Sequence, residues 1–204
     1  MDDLDALLDI SSRGHDHLCP RQILGVRIGL AGMGALGFAQ PPSKKRLLVI
    51  LETDGCFADG VTAATTCSVG HRTLRVEDYG KTAATFVDTK TGRAVRVAPA
   101  LDVRNLASAF VPSEPRHYFA QMKAYRSMPE EQLLTITEVQ LACSVEEIVS
   151  RAGVRANCAM CGEEIINERE IVRAGLILCR ACAGSPYYHE LAAAHSFELS
   201  LQSA

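Results

Sequence analysis

Cys158-Ala-Met-Cys161 and, seventeen residues later, Cys179-Arg-Ala-Cys182 decide how this chain is divided. Two Cys-x-x-Cys knuckles at this separation build a four-thiolate zinc site. Four of the eight cysteines are therefore committed to one small C-terminal module. Four thiolates at about 2.3 Å fill a tetrahedral zinc sphere and leave no position for a substrate, so such a site supports folding rather than catalysis. Two redox Cys-x-x-Cys pairs, or an iron site held by the same four thiols, are the competing readings. The chemistry is to be sought in the remaining Cys and His residues.

Working outward, Gly162 permits a tight turn after the first knuckle, and residues 164–171 with 172–178 read as a hairpin before the second. Knuckle, hairpin and knuckle in that order resemble a treble-clef finger. His189 and His195 lie beyond it and read as surface residues. From position 154 to the end there are four basic residues against six acidic ones, and the whole chain carries a formal charge of −3 with a pI near 6.1. Neither balance suits a phosphate backbone, so nucleic acid is disfavoured as a partner.

The N-terminus carries Asp2, Asp3, Asp5 and Asp9 where a secretory signal needs positive charge. The longest apolar stretch, 23–39, is interrupted by Arg27 and five glycines, which makes it a buried helix and not a membrane span. The expected setting is the cytoplasm, where paired cysteines serve as metal ligands or redox thiols more often than as disulfides.

Residues 4–10 read as a short amphipathic helix, followed by a polar loop with His15-Asp16-His17-Leu18-Cys19. Pro20 fits the first position of the next helix, with Cys19 as its N-cap. Gly25 and Gly29, four apart, allow close approach to a neighbouring element. Residues 47–51 read as a buried strand, 58–66 as a helix, 75–79 and 81–88 as strands, and 93–98 as the return strand of a hairpin. A helix over 114–126, a strand over 134–141 with Leu134 and Ile136 facing inward, and a short helix over 145–151 complete the reading. The fold class is α+β, an antiparallel sheet with packed helices and a small C-terminal finger. The domains are 1–125 for the core, 126–153 for a helix and strand connector, and 154–204 for the finger and tail. Gly32-Met-Gly34-Ala-Leu-Gly37 matches a dinucleotide-binding pattern, but the nine residues before Leu47 leave no room for a crossover helix.

His15, His17 and Cys19 place three metal-competent side chains within five residues, and Cys56 follows a buried strand. Both cysteines fall at helix N-termini, where unpaired N–H groups favour a thiolate. Cys67 lies about 16 Å from Cys56 along the intervening helix and cannot share a metal with it. His17, Cys19 and Cys56 form the candidate second metal site, with His15, Asp59 or water completing it; three ligands and an open position are the catalytic pattern. The competing reading makes the histidines loop residues and the cysteines small buried hydrophobes. Lys81 and Cys67-Ser-Val-Gly-His71 lie just downstream of this cluster. Cys143 and His117 read as structural.

Together, His15-Asp-His17-Leu-Cys19-Pro20, Glu52-Thr-Asp-Gly-Cys56-Phe-Ala-Asp59, Thr66-Cys67-Ser-Val-Gly70 and Gly80-Lys81 resemble the FmdE family of formylmethanofuran dehydrogenase components. The likeness spans about residues 10–125, and the appended finger is similar to that family's C-terminal treble clef. It implies a homodimeric α+β protein with a His- and Cys-lined cleft in which Cys19, Cys56 and Lys81 are candidate catalytic residues. It also implies association with other dehydrogenase subunits, which hold the redox centre that reduces CO2 in methanogenesis. The cofactors expected are zinc in the finger and a second transition metal in the cleft. Arg21 and His71-Arg72 depart from the family's usual residues, and Arg21 would narrow the cleft or favour an anionic ligand. The alternatives from other classes are a zinc-finger interaction protein with a purely structural core cluster, and a thiol-redox or metal-handling protein.

Overall fold

Two helices, α1 (Leu4–Ser12) and α2 (Pro20–Ala35), open the chain in a computed structural model that describes residues 4–189 and 191. Pro20 occupies the first turn of α2 and Cys19 its N-cap, because proline's fixed φ and missing N–H suit that position. β1 (Leu47–Leu51), α3 (Cys56–Thr65) and β2 (Leu74–Val76) follow. β2 pairs parallel to β1, so α3 is the crossover between them. β3 (Ala84–Asp88) and β4 (Ala94–Pro99) form an antiparallel hairpin. After α4 (Val103–Phe110), α5 (His117–Ser127) and α6 (Glu130–Leu133), β5 (Leu134–Val139) completes a sheet of order β2-β1-β3-β4-β5. α7 (Val145–Val149) ends this unit, which spans Met1–Val149.

The apolar run of β1 is continuous because both faces of the strand are covered. Leu47, Val49 and Leu51 join Phe86 and Val97 in the main core with the helices. Leu48, with Val87 and Ala94, faces the other way and is covered by Val145, Ile148 and Val149.

α2 and α3 pack backbone against backbone. A Cβ on Gly25 would lie 2.3 Å from the Phe57 carbonyl oxygen, and one on Gly60 would lie 2.3 Å from the Gln22 carbonyl oxygen. Farther along, a Cβ on Gly29 would meet that of Ala64 at 2.7 Å. The paired residue numbers rise together, so the two helices run parallel and their N-termini lie at the same end. Gly32, inside the rejected dinucleotide pattern, serves packing instead: its missing Cβ would fall 2.2 Å from the Phe86 ring.

Asp88 is buried and takes both arms of the Arg46 guanidinium at 3.0 and 2.8 Å. Hydrogen bonding from Arg46 holds its carboxyl well below the usual range, against the opposing cost of burial. Among the described residues no buried side-chain polar atom lacks a partner, and no helix is long and apolar enough to cross a membrane.

Several expectations change. The helix expected over 58–66 begins two residues earlier, at Cys56. The strands expected over 75–79 and 81–88 are shorter, because Tyr79 and Lys81 turn their N–H groups onto the Glu52 carbonyl. The helix expected over 114–126 starts at His117, since Pro115 keeps the residue before it out of the helical region. α4 was not expected at all. Ile136 is 41% exposed, because β5 is the outer strand of the sheet. Of the stretch read as a connector, residues 126–149 belong to the first unit and 150–153 to the second.

The second unit spans Ser150–Ala204. Where one hairpin over 164–178 was expected there are two. β6 (Arg155–Asn157) pairs with β7 (Glu164–Ile166), and β8 (Ile171–Arg173) pairs with β9 (Leu176–Leu178). Asn167 and Glu168 adopt φ of 62° and 55°, a left-handed bend that ends β7 early. His195 lies outside the described residues.

Gly25→Ala is expected to lower stability by about 1–3 kcal/mol by forcing α2 from α3. Gly34→Ala, on the same helix with nothing within 4 Å of its added Cβ, should instead gain up to about 1 kcal/mol from helix propensity. Urea denaturation of both variants tests this. A carboxyl with a lowered folded-state pKa stabilises above its unfolded value and loses that contribution as the pH falls through its folded value. The Asp88 pair should therefore stabilise at pH 7 and fade in acid below about pH 4, and Asp88→Asn should lose stability at pH 7 but show a flatter decline between about pH 4 and 2.

Candidate functional site

The finger brings its four cysteine sulfurs within 4.8 Å of one another. Cys161 Sγ and Cys179 Sγ are 4.0 Å apart, against about 3.8 Å for two sulfurs bound tetrahedrally to one ion at about 2.3 Å. The N–H groups of Cys179 and Cys182 donate to Cys158 Sγ at 3.3 Å and Cys179 Sγ at 3.4 Å, as thiolates require. Such N–H groups, from Cys161 and Cys179, pull the Cys158 thiol down to about 6. Hydrogen bonding with Cys179, and then burial, pushes Cys182 up to about 12, since four adjacent thiols without an ion cannot all ionise. No cysteine of the chain is in a disulfide.

In the core unit, the parallel pairing of α2 and α3 places Cys19, the N-cap of one, beside Cys56, the first residue of the other. Gly55 makes this turn with φ 71° and ψ −155°, a region essentially closed to residues with a Cβ. The loop before α2 is held by Gln22, which is fully buried. Its Oε1 accepts the Cys19 N–H at 2.8 Å and its Nε2 donates to the Ser11 carbonyl at 2.8 Å.

That loop carries His15 over the start of α3. His15 Nε2 lies 2.8 Å from Asp59 Oδ2, and His15 Nδ1 lies 4.0 Å from Cys56 Sγ. A carboxylate only accepts, so Nε2 carries a proton, and in the neutral ring Nδ1 presents its lone pair toward Cys56. This is the arrangement in which a carboxylate orients a metal-binding histidine. The Cys56 thiol is pushed up by burial first and then by its hydrogen bond with Cys19. Lowering by the helix N-terminus, the expectation from sequence, is outweighed. Tyr118 closes the site from α5: its hydroxyl donates to the Leu18 carbonyl at 3.2 Å, and burial, with the charges of Cys19 and Cys56, raises its pKa.

Cys19 and Cys56 open on a cavity of about 420 Å³. Pro20, Leu24, Pro99 and Val103 supply apolar wall, and Arg21, Arg104 and Gln121 supply polar edge. The candidates read from the sequence fall on both sides of this boundary. Cys19 and Cys56 line the cavity, and His15 and Asp59 sit beside Cys56 without lining it. His17 is exposed on the loop and Lys81 lies with its Nζ 5.9 Å from the Tyr79 ring; neither lines the cavity. Among the described residues only the finger cysteines form a group of three or more with ligand atoms all within 4.8 Å. The core set thus has two donors, His15 and Cys56, near ligation distance, and Cys19 beside them. Cys67 is buried, with its Sγ 3.6 Å from the Leu47 carbonyl. His71 bonds Ser68 and His117 bonds Ser108, at 3.0 and 2.9 Å, and Cys143 is exposed.

Sequence reasoning missed Gln22, Tyr118, Arg104 and Gln121. Gln22 stands three residues after the N-cap, which is the capping-box signal. The others come from α4 and α5, about eighty to a hundred residues away from Cys19, with no motif to mark them.

The chain forms two units, one with a four-cysteine cluster that could hold a metal ion and one an α+β core with a cavity lined in part by Cys19 and Cys56. The family described as "FmdE, Molybdenum formylmethanofuran dehydrogenase operon" matches residues 14–148, and the chain belongs to that family. A probable S-adenosyl-L-methionine-binding protein of Archaeoglobus fulgidus is 32% identical over 205 residues, which cover 90% of this chain and 54% of that protein. The chain thus spans about half the length of this curated relative. The crystal structure of a tungsten formylmethanofuran dehydrogenase FmdE-like protein from Syntrophus aciditrophicus has the same fold, with a TM-score of 0.60 at 21% identity, covering 91% of this chain and 95% of that one.

Gln22→Leu removes the partner of two backbone groups and should cost about 1–3 kcal/mol. It should also release the loop carrying His15, so that iodoacetamide labels Cys56 faster than in the parent protein, as read by peptide mass spectrometry.

Proposed function

We propose that this chain is a metal-binding accessory protein of a formylmethanofuran-dehydrogenase-type oxidoreductase, acting beside other dehydrogenase subunits or as a stand-alone relative. The observation that carries the reading is an Asp59-oriented His15 set 4.0 Å from Cys56, which with Cys19 lines one cavity. A thiolate pair with an imidazole suits a soft or borderline transition ion, and a bound ion there would supply an open coordination position facing the cavity. Asp59 keeps a His15 proton on Nε2, Gln22 holds the loop in place, and Tyr118 lines the cavity beside the cysteines. The finger would carry zinc as a structural ion. Family membership supports the link to the dehydrogenase.

Elemental analysis of the full chain tests the two sites separately. Cys158→Ser should lose the finger ion and keep a core ion. Cys19→Ser/Cys56→Ser should lose the core ion and keep the finger's. Metal content unchanged by the second variant would sink the core metal and favour an interaction protein with a structural core cluster.

A further inference from the structure

Most arginines of the core unit are spoken for. Arg46 and Arg96 each grip a carboxylate, Asp88 and Glu52, with two hydrogen bonds. Arg27 donates to the carbonyls of Tyr125 and Met128. Arg21 and Arg104 differ: both side chains line the 420 Å³ cavity, both residues are exposed, and neither side chain has a hydrogen-bond or ion-pair partner among the described residues. No Asp or Glu lines the cavity. The nearby carboxylate of Asp59 is engaged by His15.

The N-termini of α2 and α3 also converge on the cavity, through Cys19, Pro20 and Cys56. α3 has no side-chain cap on its first N–H groups, and the positive ends of two parallel helices add to the guanidinium charge. The cavity's volume falls in the range of small-molecule sites, and its apolar wall of Pro20, Leu24, Pro99 and Val103 has nothing to offer a bare inorganic ion.

We infer that this cavity binds a small organic anion, its carboxylate or phosphate group held by Arg21 and Arg104 and its apolar body laid on the wall beside the cysteine pair. The inference rests on the proposed function only in taking this cleft as the working site. Arg21 comes from the first turn of α2 and Arg104 from α4, so the anion bridges the cysteine-bearing helix and the helix inserted between β4 and β5. Guanidinium groups suit carboxylate and phosphate because their paired N–H donors match the spacing of two oxygens.

The test uses 1-anilinonaphthalene-8-sulfonate, an apolar body with one anionic group, and N-phenyl-1-naphthylamine, the same body without it. Fluorescence titration of the full chain should show saturable binding of both, with the anion tighter. Arg21→Gln/Arg104→Gln should weaken the anion by about tenfold or more while leaving the neutral probe unchanged. Arg21→Lys/Arg104→Lys, which keeps the charge, should recover part of the loss. Inorganic phosphate should displace the anionic probe weakly, as half a ligand. Equal binding of the anionic probe to parent and Gln variant, or parallel weakening of both probes, would overturn the inference. No cysteine is altered here, so failure of this test and failure of the core metal in elemental analysis are separate results.

Discussion

The contact on which the cleft depends is the parallel apposition of α2 and α3 through glycine. Helices ordinarily pack with axes about 8–10 Å apart because side chains stand between them. Here Gly25 and Gly60 remove those side chains where the two backbones meet, and the Gly25 position lies within van der Waals reach of the Phe57 carbonyl. Close, parallel and in register, the helices bring their N-termini to one end. Cys19 and Cys56 are thirty-seven positions apart in sequence and become neighbours only for this reason. The same contact sets His15 over Asp59, one turn into α3.

Each element of that arrangement differs in how visible it is in the chain. Pro20 after a potential cap, the five-residue apolar run of β1 and the turn at residues 89–92 are local signals, and the elements they announce are present. The knuckle spacing is also local in effect, since four thiols and one ion fix their own geometry. What remained hidden is long-range. His15 and His17 are equally competent ligands in the sequence, and only the position of Asp59 on α3 distinguishes them. α4, by contrast, was legible and not read: Val103, Leu106, Ala107 and Phe110 recur at i, i+3, i+4 and i+7, the spacing of an amphipathic helix. Ile136 alternates correctly for a half-buried strand, yet lies on the sheet's outer strand with no layer over it.

The helix-end effect on the cysteines shows how competing terms resolve. The N-terminus of a helix favours a thiolate by at most a few kcal/mol and usually less. For Cys56, partial burial and a second thiol at hydrogen-bonding distance act in the opposite direction and prevail. Two adjacent thiols resist ionising together, because the second negative charge is opposed by the first. The finger shows the same conflict in sharper form, with Cys158 low and Cys182 high within one cluster.

The two cysteine clusters also differ in what the surrounding chain needs from them. Among the described residues the finger's buried apolar core amounts to Cys158, Ile165, Leu178 and Ala183 with a few partly buried neighbours. So little core calls for a staple in a small unit, and a metal ion held by the four cysteines would supply folding energy. The core unit has no such need, for Leu47, Val49, Leu51, Phe57, Phe86 and their neighbours form a large apolar interior. Cys67 shows what a structural cysteine looks like in that setting: it is 4% exposed, sits within the core and has its thiol raised by burial. Cys19 and Cys56 are half-buried, open on a cavity, and are delivered there by three glycines that cost helix propensity. A helix pair kept this close, at that cost, has its two thiols facing an open cavity, and the binding proposed at those thiols would account for it.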